Sequence, residues 1–193
     1  MNAVSALPEG YREIYSVDLQ KNKKIALLVN GISLLIGAAL ILVGHMLVPF
    51  WTLFDMSQGL GPYSMRFGAL MAGLVLYMVL HELVHGITMK HFGTKKVKYG
   101  FTGLYAFAGS EDYYPKKPYI TIALAPIVVW GIVLAVVNLL IPAQWFWVVY
   151  FIQVSNISGA AGDLYVTWKF SQMPADILVR DYGVGMTVYS REG

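Results

Sequence analysis

The chain has 193 residues, 57% of them hydrophobic and only 13% charged, with a mean hydropathy of +0.58. Soluble domains carry about 25% charged residues, so this balance places the chain in the membrane class. It has no cysteine, which excludes disulfides, thiolate metal sites and a cysteine nucleophile and leaves nitrogen and oxygen to hold any metal.

Residues 1–24, MNAVSALPEGYREIYSVDLQKNKK, are polar and mixed in charge. They lack the basic-then-apolar layout of a signal peptide and read as a cytosolic leader. A transmembrane helix needs about 20 mostly apolar residues. Four stretches meet that length, at about Ile25–Val48, Phe67–Met89, Tyr119–Ile141 and Trp145–Trp168. Only Pro142, Ala143 and Gln144 separate the last two, which makes them antiparallel neighbours. Between the second and third spans, KVKYGFTGLYAFAGSEDYY (96–114) alternates roughly and is rich in Gly, Phe and Tyr, the pattern of a β-hairpin. The segments are then a leader (1–24), a four-span membrane domain (25–168, catalytic core about 67–168) and a cytosolic tail (169–193). The fold class is an all-α polytopic membrane protein of four transmembrane helices, with a small β-hairpin near the cytosolic face.

Orientation follows from Lys and Arg. Four precede the first span (Arg12, Lys21, Lys23, Lys24), six lie between the second and third (Lys90, Lys95, Lys96, Lys98, Lys116, Lys117) and three follow the fourth (Lys169, Arg180, Arg191). The loop after the first span has Arg66 alone. The positive-inside rule puts both termini and the 90–117 loop in the cytosol, in what we expect is the cell membrane of a prokaryote. Trp51, Trp145 and Trp147 fall at the opposite rim, where interfacial aromatics belong. The lysines from Lys90 to Lys98 set topology and offer contact with anionic lipid; they do not read as a nucleic-acid site.

Of eleven acidic residues, only Glu82 and Asp163 lie within expected spans. An ionisable group there costs at least about 2.5–3.5 kcal/mol on insertion scales and marks a functional site. His81 and His85 are four apart, so on a helix they share a face and can grip one ion, with Glu82 beside that face. Zinc needs three protein ligands to keep a fourth position open, and Asp163 is available as the third. At 1.5 Å per residue, His81 lies roughly 20 Å into the second span and Asp163 roughly 27 Å into the fourth. Both spans run the same way, so the residues reach similar depths in the cytosolic half of the membrane. Zinc held there would lower the pKa of a water toward about 7 and polarise a scissile carbonyl. Glu82 would take the water proton and deliver it to the leaving amine.

The order HELVH (81–85), a strand-rich segment, ALAP (123–126) in a span and NISGAAGD (156–163) resembles the site-2 protease group of intramembrane metalloproteases, and within it the small branch described as putative zincin peptidases. The resemblance covers about residues 67–168. It implies one zinc ion, ligands His81, His85 and Asp163, catalytic Glu82, and a membrane-protein or peptide substrate reached within the lipid bilayer. The chain departs from the group's pattern at Gly159, in the Asn–Asp spacing, at Leu164 and at Ala125-Pro126, differences that bear on substrate handling more than on the metal.

Asn156 stands two turns before Asp163 and would hydrogen-bond either substrate or a neighbouring helix. The small residues Gly159, Ala160, Ala161 and Gly162 would let the fourth helix approach the second. Pro126 would kink the third span. His45 reads as interfacial, His91 as a headgroup neighbour, and Glu111 and Asp112 as solvated loop carboxylates. The 96–114 hairpin would either cap the bundle or present an edge to an unwound substrate strand. Two other functions fit the same residues: a divalent-metal transporter, or an inactive protease homologue serving as a membrane scaffold.

Overall fold

Three helices in the computed structural model are long and apolar enough to cross a membrane: α1 (Lys23–Leu47), α2 (Leu60–His91) and α3 (Lys116–Leu140). The structure describes residues 2–18, 21–103 and 106–191. Each helix turns apolar side chains outward, as at Leu34, Leu35 and Leu42 of α1 and Val128, Ile132 and Leu139 of α3. That inside-out arrangement suits lipid, since the hydrogen bonds of the helical backbone are met within each segment. The ends are set by local chemistry. Asn22 caps α1, its Oδ1 accepting the Ile25 amide at 3.2 Å. Beyond α2, the Gly93 amide bonds to the Lys90 carbonyl and the Thr94 amide to the Met89 carbonyl, with Gly93 at φ +101°. This is a Schellman stop, which needs a residue without a Cβ at the left-handed position.

The expected fourth helix is divided. α4 (Phe146–Gly159) ends at Ala160, whose φ −82° and ψ 17° leave the helical range, and α5 (Ala161–Ser171) starts afresh. Neither piece alone has the length of the other three. The break has no proline to announce it, so hydropathy reads straight across the small residues Gly159 to Gly162.

The chain forms two units. One comprises residues 1–29, 82–126 and 162–193. Its four-stranded antiparallel sheet has the order β1 (Arg12–Asp18), β6 (Gly185–Ser190), β5 (Leu178–Asp181), β4 (Tyr113–Pro115). Segments from the expected leader and tail are thus hydrogen-bonded side by side, with Arg12 opposite Ser190 and Asp18 opposite Gly185. A separate hairpin pairs β2 (Lys98–Phe101) with β3 (Ala106–Gly109), as the alternating pattern predicts; its tip, Leu104 and Tyr105, lies outside the described residues. The β content therefore exceeds the single hairpin expected. Strands of three to seven residues carry too little periodicity to stand out, and their pairing is made between distant segments. The core of this unit gathers Met89, Tyr114, Tyr119, Ile122, Val166, Phe170, Val179 and Val188.

The second unit comprises residues 30–81 and 127–161. Here glycines on α1 and α2 admit α4. A Cβ on Gly73 would come within 2.7 Å of Ile152 Cδ1, and one on Gly37 within 3.6 Å of Ser158. Gly159, by contrast, has nothing within 4 Å of its would-be Cβ. The close approach expected of Gly159 is thus provided by the partner helices. Trp147, expected at a membrane rim, is buried, and its indole N–H donates to the Pro49 carbonyl at 3.2 Å. Trp51 is exposed.

Candidate metal centre

α2 carries His81, Glu82 and His85 within two turns, and α5 carries Asp163 in its first turn. A carboxylate at a helix N-terminus is favoured by the aligned peptide dipoles, and the break before α5 is what gives Asp163 that position. His85 and Asp163 belong to one unit, with His85 Nε2 3.7 Å from Asp163 Oδ1. His81 closes the other unit but stands four residues before His85 on the unbroken α2, so the helix itself sets that pair's spacing.

One donor atom from each of His81, His85 and Asp163 lies within 4.8 Å of the others, and among the described residues this is the cluster of His and acidic groups that could hold a metal ion. Tetrahedral zinc with bonds near 2.0–2.2 Å separates its donors by roughly 3.4 Å, so small movements would bring the three into coordination. Two imidazoles and a carboxylate are a zinc-type donor set that leaves one position open. Glu82 stands outside this trio, one residue from His81 on α2.

Each histidine has a defined partner at its other nitrogen. His85 is buried, and its Nδ1 lies 2.9 Å from the Ile122 carbonyl of α3. His81 Nδ1 lies 2.7 Å from the Tyr77 hydroxyl, which donates to Asn156 Oδ1 at 2.9 Å. Asn156 is fully buried and its Nδ2 donates to the Ile127 carbonyl at 3.2 Å. Of the two roles weighed for Asn156, the observed contacts are between helices, and they reach a candidate ligand. Tyr77 was not singled out from the sequence. Its signal was spacing, four residues before His81 and therefore on the same face.

The hairpin also comes to this helix. Gly86 follows His85, and a Cβ there would strike the Tyr99 hydroxyl of β2. The Tyr99 phenol is pushed above its ordinary pKa by burial first and then by the negative charge of Glu82. Farther along the unit, Asp181 of β5 accepts the Tyr119 hydroxyl at 2.7 Å and the Gly183 amide at 2.8 Å. Burial raises its pKa despite those bonds and the attraction of His85, with Asp163 adding to the rise.

The remaining sequence candidates lie elsewhere. His45 Nδ1 accepts the Phe50 amide at 3.0 Å and its ring meets Trp51 edge-on, closing the turn after α1. His91 is exposed at the end of α2 beside Phe92. Glu111 is not simply solvated, since it pairs with Lys98 at 2.7 Å and with Arg180.

Residues 74–178, more than half of the chain, match the family model described as "putative zincin peptidase". The chain belongs to this family. A relative, an uncharacterized 24.7 kDa protein from the gap 5′ region of Pyrococcus woesei, is 30% identical over 178 residues, covering 90% of this chain and 72% of its own length. No solved structure matches. The zincin peptidase assignment points to a zinc metallopeptidase, and the matched region contains Tyr77, the HELVH helix, the hairpin, Pro126 and Asp163.

Proposed function

We propose that this zincin peptidase is an intramembrane zinc metalloprotease of the site-2 protease type, cleaving a peptide bond in or near a membrane segment. The observation that carries the reading is that an Asp163 donor lies close to those of His81 and His85, which stand on a helix long and apolar enough to cross a membrane. In this reading α4 and α5 together make a fourth, broken crossing, and both termini and the 90–117 loop face the cytosol. Zinc, when bound by those three residues, would supply Lewis-acid activation of the carbonyl and of a water. Glu82 accepts the proton of the attacking water and returns it to the amine nitrogen as the C–N bond breaks. Among the described residues β2 pairs only with β3, so its other edge is available to hold an unwound substrate by strand addition.

The test is cleavage of a membrane-segment substrate by purified protein in lipid nanodiscs, with metal content measured in parallel. Glu82→Gln is expected to cut turnover by about 10²–10⁴-fold while keeping its zinc. Asp163→Ala is expected to lose both zinc and cleavage. Undiminished cleavage by Glu82→Gln would overturn the assignment of the base, and full zinc occupancy in Asp163→Ala would remove the third ligand.

A further inference from the structure

The carbonyls that end the two histidine hydrogen-bond chains both come from α3, on either side of Pro126, which lies fully buried inside the helix. A proline in a helix has no N–H to give the carbonyl four residues earlier, and its ring pushes that carbonyl away. Four residues before Pro126 is Ile122, whose carbonyl lies 2.9 Å from His85 Nδ1. A carbonyl can only accept, so His85 carries a proton on Nδ1; in the neutral ring the lone pair then sits on Nε2, which faces Asp163 Oδ1 at 3.7 Å.

The same logic runs through the second chain. The Ile127 carbonyl can only accept, so the Asn156 nitrogen faces it and Oδ1 faces Tyr77. The Tyr77 hydroxyl spends its single hydrogen on Asn156 Oδ1 and receives His81 through a lone pair. His81 is then also an Nδ1–H tautomer with its lone pair on Nε2. Metal-ligating histidines are held in this way, and loss of the outer partner typically weakens metal binding 10–100-fold.

We propose that Pro126 (by freeing the Ile122 carbonyl), Tyr77 and Asn156 are positioning residues that set both imidazoles as Nδ1–H tautomers before metal arrives. The proposal rests on the metal reading above for its purpose, while the tautomers themselves can be observed without metal. The experiment is nitrogen NMR of histidine-labelled, metal-free protein in nanodiscs through an alkaline pH series, read on the neutral imidazole signals, followed by zinc titration against a competing chelator. Wild type is expected to show Nδ1–H signals for both histidines. Tyr77→Phe and Asn156→Ala should each mix the tautomers of His81 alone and weaken zinc by about 10–100-fold. Pro126→Ala, which restores an N–H at position 126 and suits a helix, should disturb His85 alone. An Nε2–H signal in wild type, or Tyr77→Phe and Pro126→Ala variants that keep wild-type tautomers and zinc affinity, would overturn the proposal. Absence of zinc binding by wild type with Nδ1–H tautomers intact would overturn the metalloprotease reading and leave the tautomer assignment standing.

Discussion

A side chain at position 86 would run into the Tyr99 hydroxyl, with ring carbons Cζ and Cε1 next at 2.6 and 2.9 Å from its Cβ. Glycine costs a helix about 1 kcal/mol relative to alanine, so the bare position lets a strand of the hairpin lie against α2 one residue past His85. The clash falls on the far end of a side chain that is 48% exposed, so the ring can swing aside. Gly86→Ala should therefore fold, with the helix gain offset by displacement of Tyr99. In a Tyr99→Ala background the clash is gone, and Gly86→Ala should stabilise by about 1 kcal/mol. Thermal unfolding of the four proteins measures the coupling, and additive changes would mean that the contact carries no strain. The candidate trio was legible because its signal is local: two histidines at helical spacing, and carboxylates at Glu82 and Asp163 where lipid would penalise them. Tyr77 and the Ile122 carbonyl were not. A tyrosine in an apolar run looks like any interfacial aromatic, and a backbone carbonyl has no letter of its own.

At the scale of elements, the break between α4 and α5 decides where Asp163 stands. Ala160 and Ala161 are each 1% exposed, whereas Gly159 has open space where a Cβ would go. Substitutions two residues apart should thus act in opposite directions. Gly159→Ala adds helix propensity at the end of α4 without meeting a neighbour and should be neutral or stabilising by up to about 1 kcal/mol. Ala161→Leu forces a large side chain into a filled site, at a cost of about 1–3 kcal/mol, and should shift α5 enough to lower zinc retention as well. Denaturation midpoints and bound zinc for the two variants test this; equal tolerance at both positions would mean the break is not held by packing. Small, uncharged residues fill this stretch, so hydropathy reads one continuous span there, although Gly159 and Gly162 on either side of the break weaken the helix.

For the whole molecule, the feature least visible in advance is the sheet that joins the two ends of the chain through β1 and β6. Its strands are short and their partners lie far apart in sequence, so nothing within a local window predicts the pairing. Within that sheet, Asp181 gives stability a pH dependence whose sign follows from burial. Its carboxyl is held above the ordinary carboxylate range, chiefly by desolvation and in spite of the bonds from Tyr119 and Gly183. Between the ordinary pKa of about 3.9 and the raised value, the folded chain holds a proton that the unfolded chain has released. Stability must then fall as pH rises through that window and level off above it. Asp181→Asn removes the titration but leaves one former carboxylate oxygen as an amide nitrogen, which breaks one accepting bond worth about 1 kcal/mol. The variant should therefore be the less stable protein at acid pH and should close the gap, or overtake wild type, as pH approaches neutral. Unfolding of both proteins across that range, with metal removed by chelator so that occupancy does not contribute, reads the difference directly. A constant gap at every pH would show that Asp181 is ionised in the folded state as easily as in the unfolded one, and that its two hydrogen bonds fully offset the burial.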